Sequence, residues 1–183
     1  MAARVFVRPP AREDEREFLG AMRASRTLHR PWLYAPQTAE DFREYLVRAM
    51  RPTSEFFLAC RLEDDAIVGF LNLGEIVRGG FQSAYLGYGG VAAHAGKGYM
   101  TEALELVLGE TFTRLGLHRV EANIQPGNAA SIALVRRAGF ELEGLSPRYL
   151  KIGGRWRDHE RWAILADDWR SQSDGGRVMK TAP

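Results

Sequence analysis

The chain has 183 residues, of which 45% are hydrophobic, enough for one domain with a sizeable core and too few for two ordinary domains. Its 25 Lys and Arg against 23 Asp and Glu leave a net charge of +2, which argues against direct nucleic-acid or membrane partners. The single Cys60 excludes an internal disulfide and a multi-cysteine zinc site, and no apolar run is long enough to span a membrane, so we expect a cytoplasmic protein that holds no metal.

The N-terminal half predicts a strand, two helices and three strands, in that order. The first helix carries its apolar residues on one face, and the second begins at a capping box formed by Thr38 and Asp41. An acidic turn between the second and third strands is typical of a hairpin. The predicted segments are 5–8, 14–26, 38–50, 55–61, 66–73 and 84–91.

The C-terminal half predicts a helix, a strand, a helix and two or three further strands. Gly116 and Gly139 follow the two helices, where glycine favours helix termination, and Gly153 with Gly154 predicts a tight hairpin. We therefore expect a single α/β domain over residues 1–170, a sheet of mixed direction with helices on both faces, and a polar flexible tail over 171–183. The predicted segments are 98–115, 118–124, 128–137, 140–144, 149–152 and 156–164.

A glycine-rich turn joins the strand at 84–91 to the following helix. Gly96 and Gly98 let a ligand approach the backbone, and the first amides of the helix point outward at its positive end, so the turn is suited to phosphate. The Walker pattern fails because Lys97 precedes the second glycine, and the dinucleotide fingerprint fails because Thr101 stands where a third glycine is needed. The residues of the turn are Ala95, Gly96, Lys97, Gly98, Tyr99, Met100 and Thr101.

A second motif, Asn128-Ala-Ala-Ser131, opens the helix at 128–137 and is followed by Leu134 and Ala138-Gly139-Phe140. Together, the turn and this motif resemble the two coenzyme A segments of the GCN5-related N-acetyltransferase (GNAT) superfamily. Arg30-Pro31-Trp32 and the segment 154–159 are similar to its ribosomal-protein-alanine N-acetyltransferase branch. The resemblance covers nearly the whole chain, is weakest over 35–60 and is absent from the tail.

The resemblance implies a GNAT fold, a mostly antiparallel twisted sheet with a splayed central strand pair. It also implies direct transfer of an acetyl group from acetyl-CoA to a primary amine, without a covalent acyl-enzyme. The expected acceptor is a protein N-terminus. A small primary amine (an aminoglycoside, a polyamine or an amino-acid analogue) and a non-catalytic acyl-CoA-binding or ribosome-associated module remain alternatives, and the protein is expected to be a monomer or a homodimer.

The resemblance also assigns residues to acetyl-CoA. Backbone amides of Gly89, Gly90 and Val91 are the expected oxyanion donors, and the two adjacent glycines suggest a bulge that splays the strand. Ala95 replaces the usual polar side chain of the turn and leaves its amides as the phosphate ligands. The set expected to bind acetyl-CoA is Gly89, Gly90, Val91, residues 95–101, Asn128, Ser131 and Arg136; Arg136 and Arg137 could meet the 3′-phosphate or simply face water at the helix end.

The catalytic residues are less well defined. Val135 stands where many relatives carry a Tyr that protonates the leaving thiolate, and Ser131, on the helical face of Asn128, is the natural substitute. Glu121, Glu75 or a water chain to backbone carbonyls could serve as general base, whereas His94 and His159 are interpreted as structural. The residues expected to line an acceptor groove are Trp32, Tyr34, Arg78, Tyr85 and Tyr88.

Overall fold

Seven strands and their flanking helices make up residues 3–171, the part of the chain that the computed structural model describes. The strands are β1 (Val5–Arg8), β2 (Glu55–Arg61), β3 (Ile67–Val77), β4 (Ser83–Gly90), β5 (Arg119–Ile124), β6 (Glu141–Ile152) and β7 (Arg155–Leu165). The main helices are α1 (Glu15–Ala24), α2 (Arg26–His29), α3 (Ala39–Ala49), α4 (Tyr99–Thr113) and α5 (Ala129–Arg137). The predicted tail lies, apart from Ser171, outside the described residues.

The strands form one sheet in the order β1-β2-β3-β4-β5-β7-β6. Every neighbouring pair is antiparallel except β4 and β5, which are parallel and are joined through α4. The predicted α/β class and the mostly antiparallel sheet are therefore confirmed. No helix within residues 3–171 has both the length and the apolar character needed to cross a membrane.

Two apolar cores lie on opposite faces of this sheet. Side chains alternate along β2, so Phe57 and Ala59 join one core while Leu58 and Cys60 join the other. Helices α4 and α5 cover the first core, and α1 and α3 cover the second. The expectation of helices on both faces is confirmed.

The central parallel pair separates partway along its length. Pairing runs from Ser83 with Arg119 to Tyr85 with Glu121 and then stops, although β4 continues to Gly90. This confirms the splayed strand pair, because the two strands share one end of the sheet and part at the other.

The predicted glycine bulge is wrong. Gly89 and Gly90 pair regularly with β3, and the irregularity of that ladder lies in β3 between Gly74 and Val77 instead. A Cβ on Gly89 would lie 2.7 Å from the ring of Phe70. Glycine is required there for close packing and not for a change of register.

The predicted capping box and hairpin turn are confirmed, whereas two strand boundaries differ from the predicted ones. Thr38 Oγ1 accepts from the Asp41 amide at 3.1 Å, and Asp41 Oδ2 accepts from the Thr38 amide at 2.9 Å, which completes the capping box. Gly153 and Gly154 have φ values of 58° and 80°, the positive pair that a type I′ hairpin needs. Strand β3 extends beyond the predicted end at Leu73, and the segments at 140–144 and 149–152 belong to the single strand β6.

The approach of β3 to β4 and α4 can be tested with two glycines of one strand. A Cβ on Gly69 would lie 2.8 Å from the carbonyl oxygen of Gly89 and would meet the Met100 side chain, whereas one on Gly74 meets nothing within 4 Å. We expect Gly69→Ala to lower the free energy of unfolding by about 1–3 kcal/mol, measured by urea denaturation. Gly74→Ala should stay within about 1 kcal/mol of wild type. Equal losses from both substitutions would contradict the close approach.

Candidate active site

Two cavities meet where β4 and β5 part. The turn groove, of about 630 Å³, runs between the end of β4, the glycine turn and one face of α5. The hairpin cavity, of about 550 Å³, lies between β4, β5 and the β6–β7 hairpin. The residues that line both cavities form a junction: Trp32, Leu33, Tyr88, Asn128 and Ser131.

The glycine turn has the geometry of an anion site. Gly96 and Gly98 adopt φ values of 73° and 83°, and Gly98 is the N-cap of the 15-residue helix α4. Backbone N–H groups of residues 96–100 donate to no other group within the described part of the chain. These amides and the positive end of the helix dipole are the combination that binds phosphate.

Most residues predicted to bind acetyl-CoA line the turn groove, and two do not. Lys97 turns back along its own loop, where Nζ donates to the Ala93 carbonyl at 3.0 Å. Arg136 does not line the groove, whereas its neighbour Arg137 does. The Met100 side chain packs beneath Gly90, so Met100 offers the groove chiefly its backbone.

The oxyanion donors need a correction at Val91. Its N–H donates to the Val68 carbonyl at 2.9 Å and is therefore not free to bind a ligand. Because successive residues of a strand point their backbone groups to opposite sides, the N–H of Gly90 faces the gap between β4 and β5. Gly90 is thus the residue of the predicted trio best placed to stabilise an oxyanion.

His29, which the sequence did not single out for the site, holds this strand end in place. It is 4% exposed, lines the turn groove, and donates from Nε2 to the Gly90 carbonyl at 2.7 Å. Burial lowers the pKa of His29 despite this hydrogen bond, so the ring is neutral near pH 7. Because β5 does not pair with β4 at this position, the Gly90 carbonyl has no strand partner there. The His29 imidazole supplies its hydrogen bond instead.

At the junction, Ser131 presents a free hydroxyl. Asn128 caps α5 by accepting from the Ser131 amide at 3.2 Å, and Tyr88 donates its hydroxyl proton to the Ser131 carbonyl at 3.3 Å. Ser131 Oγ has no hydrogen-bond partner among residues 3–171. Burial raises the pKa of Tyr88 to about 12, so its hydroxyl stays protonated. Val135 is fully buried in the core and does not reach the junction.

The two candidate carboxylate bases lie in different places. Glu121 does not line the hairpin cavity, since it occupies the last paired position of β5 and accepts from Arg119 Nε at 3.0 Å. Its role as general base stays a prediction, and the ion pair with Arg119 holds it at a position where the two strands still pair. Glu75 does line the cavity, at the irregularity of β3, and is the one carboxylate among the lining residues.

Three of the five residues predicted for an acceptor groove line the hairpin cavity. Trp32, Tyr85 and Tyr88 do so. Tyr34 instead packs its ring over the backbone of Gly153 in the hairpin turn, and Arg78 donates to the Leu115 carbonyl at 2.5 Å, far from both cavities. Arg78 lines neither cavity, so its role in acceptor binding stays a prediction.

Sequence reasoning missed the wall that β5, β6 and β7 give to this cavity. Asn123 and Gln125 come from β5 and its end, and Tyr149 and His159 come from the hairpin. The hydroxyls of Tyr85 and Tyr149 lie 3.5 Å apart, and this contact together with burial raises the pKa of Tyr85 to about 12. The signal available in the sequence was His159 itself, a titratable residue beside the predicted hairpin.

The single cysteine of the chain does not line either cavity. Cys60 is fully buried in the core beneath α1 and α3, and burial raises the pKa of its thiol. A buried thiol of this kind is a poor nucleophile. Within residues 3–171, no cluster of His, Cys, Asp and Glu has the arrangement of a metal site.

Comparison with known proteins is informative at this point. Residues 4–141 match the family model described as Acetyltransferase (GNAT) domain. The chain is 35% identical over 174 residues to the probable N-acetyltransferase YjcK of Bacillus subtilis, a match that covers 90% of this chain and 95% of that protein. It is also 40% identical over 107 residues to the [ribosomal protein uS5]-alanine N-acetyltransferase of Escherichia coli, covering 58% of this chain and 55% of that protein.

Among solved structures, the chain is similar to Mycobacterium smegmatis RimJ in complex with CoA-disulfide. The TM-score is 0.83 and the sequence identity 28%, and the match covers 94% of this chain and 90% of that one. The two relatives matched by sequence are named N-acetyltransferases, which favours an enzyme over a non-catalytic binding module.

Two neighbouring arginines allow a matched test of the turn groove. Arg137→Ala should weaken coenzyme A binding about three- to tenfold, because it removes a positive charge from the wall of the groove. Arg136→Ala, one residue earlier on the same exposed helix turn, should leave the Kd unchanged. Titration calorimetry with coenzyme A and with dephospho-coenzyme A measures both, and the loss should vanish when the 3′-phosphate is absent. An equal loss from Arg136→Ala would contradict the assignment.

Proposed function

Because this chain belongs to the GNAT acetyltransferase family, we propose that it acetylates the N-terminal α-amine of a protein with acetyl-CoA as donor. The observation that carries the proposal is the junction, where an anion-binding groove and a second cavity meet at a strand gap. Direct transfer needs such a meeting point, since donor and acceptor must be bound together.

The turn groove suits coenzyme A. Its free amides match a diphosphate, the gap between β4 and β5 can admit an extended pantetheine arm, and Gly90 lies where the thioester carbonyl would arrive. The similarity to a RimJ structure that contains CoA-disulfide supports the same use of the groove.

The hairpin cavity suits a small side chain and a single amine. Its wall is mostly aromatic and aliphatic, with Glu75 as its one carboxylate. A polyamine or an aminoglycoside carries several positive charges and is normally met by several carboxylates. The cavity supports an acceptor with one amine instead.

Charges around the mouth support the same choice. Arg155 and Arg157 pair with Ile152 and Leu150, two residues of the cavity wall, so they share that face of the hairpin. Arg30 lies 5.0 Å from the ring centre of Tyr34, which packs on the hairpin turn. No ion pair is formed by these three arginines within residues 3–171. These three arginines form a basic rim at the cavity mouth. Such a rim repels polycations but does not oppose the binding of a peptide.

The chemistry follows from the junction. The neutral amine attacks the thioester carbonyl carbon, the oxyanion is stabilised by the Gly90 N–H, and the C–S bond breaks to release the thiolate. Ser131 Oγ, free and directed into both cavities, gives its proton to the leaving sulfur and recovers one from water. A small amino acid with one α-amine is the second candidate, because the cavity would also enclose a substrate of that size.

The acceptor class is tested by thiol release from acetyl-CoA with peptides that begin with free Ala or Ser. We expect turnover with these peptides and none with the same peptides acetylated in advance, and mass spectrometry should locate the new acetyl group on the α-nitrogen. Spermidine should give a kcat/KM at least about tenfold lower because the basic rim repels it. Turnover restricted to spermidine or to an aminoglycoside would overturn the proposal.

The role of Ser131 is tested by Ser131→Ala, with Ser131→Thr as the matched variant that keeps a hydroxyl. Loss of the proton donor should lower kcat about 100-fold while the Kd for coenzyme A changes less than about threefold. The Thr variant should recover part of the loss. If kcat were unchanged in Ser131→Ala, another group must protonate the thiolate.

A further inference from the structure

His159 occupies the wall of the hairpin cavity, where the sequence had suggested a structural role. The residue is 2% exposed, lies on β7 and faces the cavity that the proposed function assigns to the acceptor amine. A buried, ionisable ring beside a reacting amine is a candidate for proton transfer.

The hydrogen bonds of His159 fix which nitrogen carries the proton. Nδ1 lies 3.0 Å from the Arg157 carbonyl oxygen, which can only accept, so Nδ1 must be protonated. In the neutral ring the lone pair is then on Nε2, and this atom has no hydrogen-bond partner among residues 3–171. The cavity wall thus presents an oriented base.

The strand registers place His159 at the end of β5, on one side of the gap. The β5–β7 ladder pairs Ile124 with Glu160, so His159 lies beside Gln125 at the end of β5. Both strands continue past the last pair of Tyr85 with Glu121, β4 to Gly90 and β5 to Ile124, one on each side of the gap. His159 and the end of β4 therefore flank the opening in which the thioester and the amine must meet.

The surroundings keep the ring neutral. Burial lowers the pKa of His159, against a smaller opposite effect from the Arg157 carbonyl and from Asp158 on the same strand. The other titratable groups of the cavity wall are Glu75 on β3, Tyr85 and Tyr88 on β4 and Tyr149 on β6, whose ring centre lies 6.4 Å from that of His159. Arg157 and Arg155 lie on the same face of β7, two and four residues before His159.

We propose that His159 is the general base, taking a proton from the acceptor nitrogen through Nε2 while the C–N bond forms. The electron pair of the amine becomes the new bond, its proton moves to Nε2, the electrons of the C–S bond leave with the sulfur, and His159 returns its proton to water. Glu121 is committed to Arg119, and Glu75 is an exposed side chain on the β3 wall. The assignment rests on the proposed function only in requiring an amine acceptor.

Kinetics of His159→Gln and His159→Ala test the assignment, with the exposed His118→Gln as matched control. Both His159 variants should lower kcat about 100-fold, and added imidazole should restore part of the activity of His159→Ala. For wild type, log kcat/KM should fall with a slope of about 1 as the α-amine is protonated and about 2 below the pKa of His159, which burial lowers from its usual value. His159→Gln should keep the slope near about 1 throughout.

Separate results would contradict His159 as the base and a protein N-terminus as the acceptor. Wild-type turnover on a small amine but not on peptides overturns the protein acceptor, and the His159 variants are then measured with that amine. Unchanged kcat and slope in His159→Gln overturn the base. Nitrogen NMR of the unliganded protein gives an independent result, since protonation on Nε2 in the neutral ring would also overturn the base, whereas protonation on Nδ1 supports it.

Discussion

The separation of β4 from β5 beyond the pair of Tyr85 and Glu121 is the constraint on which the whole site depends. A strand that loses its neighbour leaves backbone groups without partners, and each buried one costs about 1–3 kcal/mol if it stays unpaired. Here the Gly90 carbonyl is satisfied by His29, and Tyr88 reaches across the gap to the Ser131 carbonyl. The hydrogen bonds of these two side chains stabilise the gap, and the Gly90 N–H stays available to a ligand.

The two cavities that open from this gap differ in their electrostatics. At one end, the unpaired amides of the glycine turn and Arg137 favour negative charge. At the other end, an aromatic wall with one carboxylate and a neutral imidazole favours an uncharged amine, the form that can attack a thioester. Under the proposed function, this difference would direct the phosphates of the donor and the amine of the acceptor to separate cavities.

Much of the fold could be predicted from the sequence because the signals are local. The capping box at Thr38, the glycine turn before α4 and the paired glycines at 153–154 each depend on residues within a few positions of one another. The glycine turn could be predicted as an anion site for the same reason, since its unpaired amides belong to one short segment. Hydrogen bonds to partners far away in the chain could not be predicted, as with Arg78, which donates to Leu115, and the N–H of Val91, which donates to Val68.

The sequence by itself determined the α/β class, the strand-turn-helix that can hold phosphate and the presence of Ser131 one turn into α5. Only the tertiary structure decided which titratable groups share the acceptor cavity. Glu121 and His159 are both strand residues in the sequence, but one strand register puts Glu121 where β4 and β5 still pair, and another puts His159 level with the gap. The physical reason is that a proton acceptor is defined by distance, burial and hydrogen bonds to residues far away in the chain.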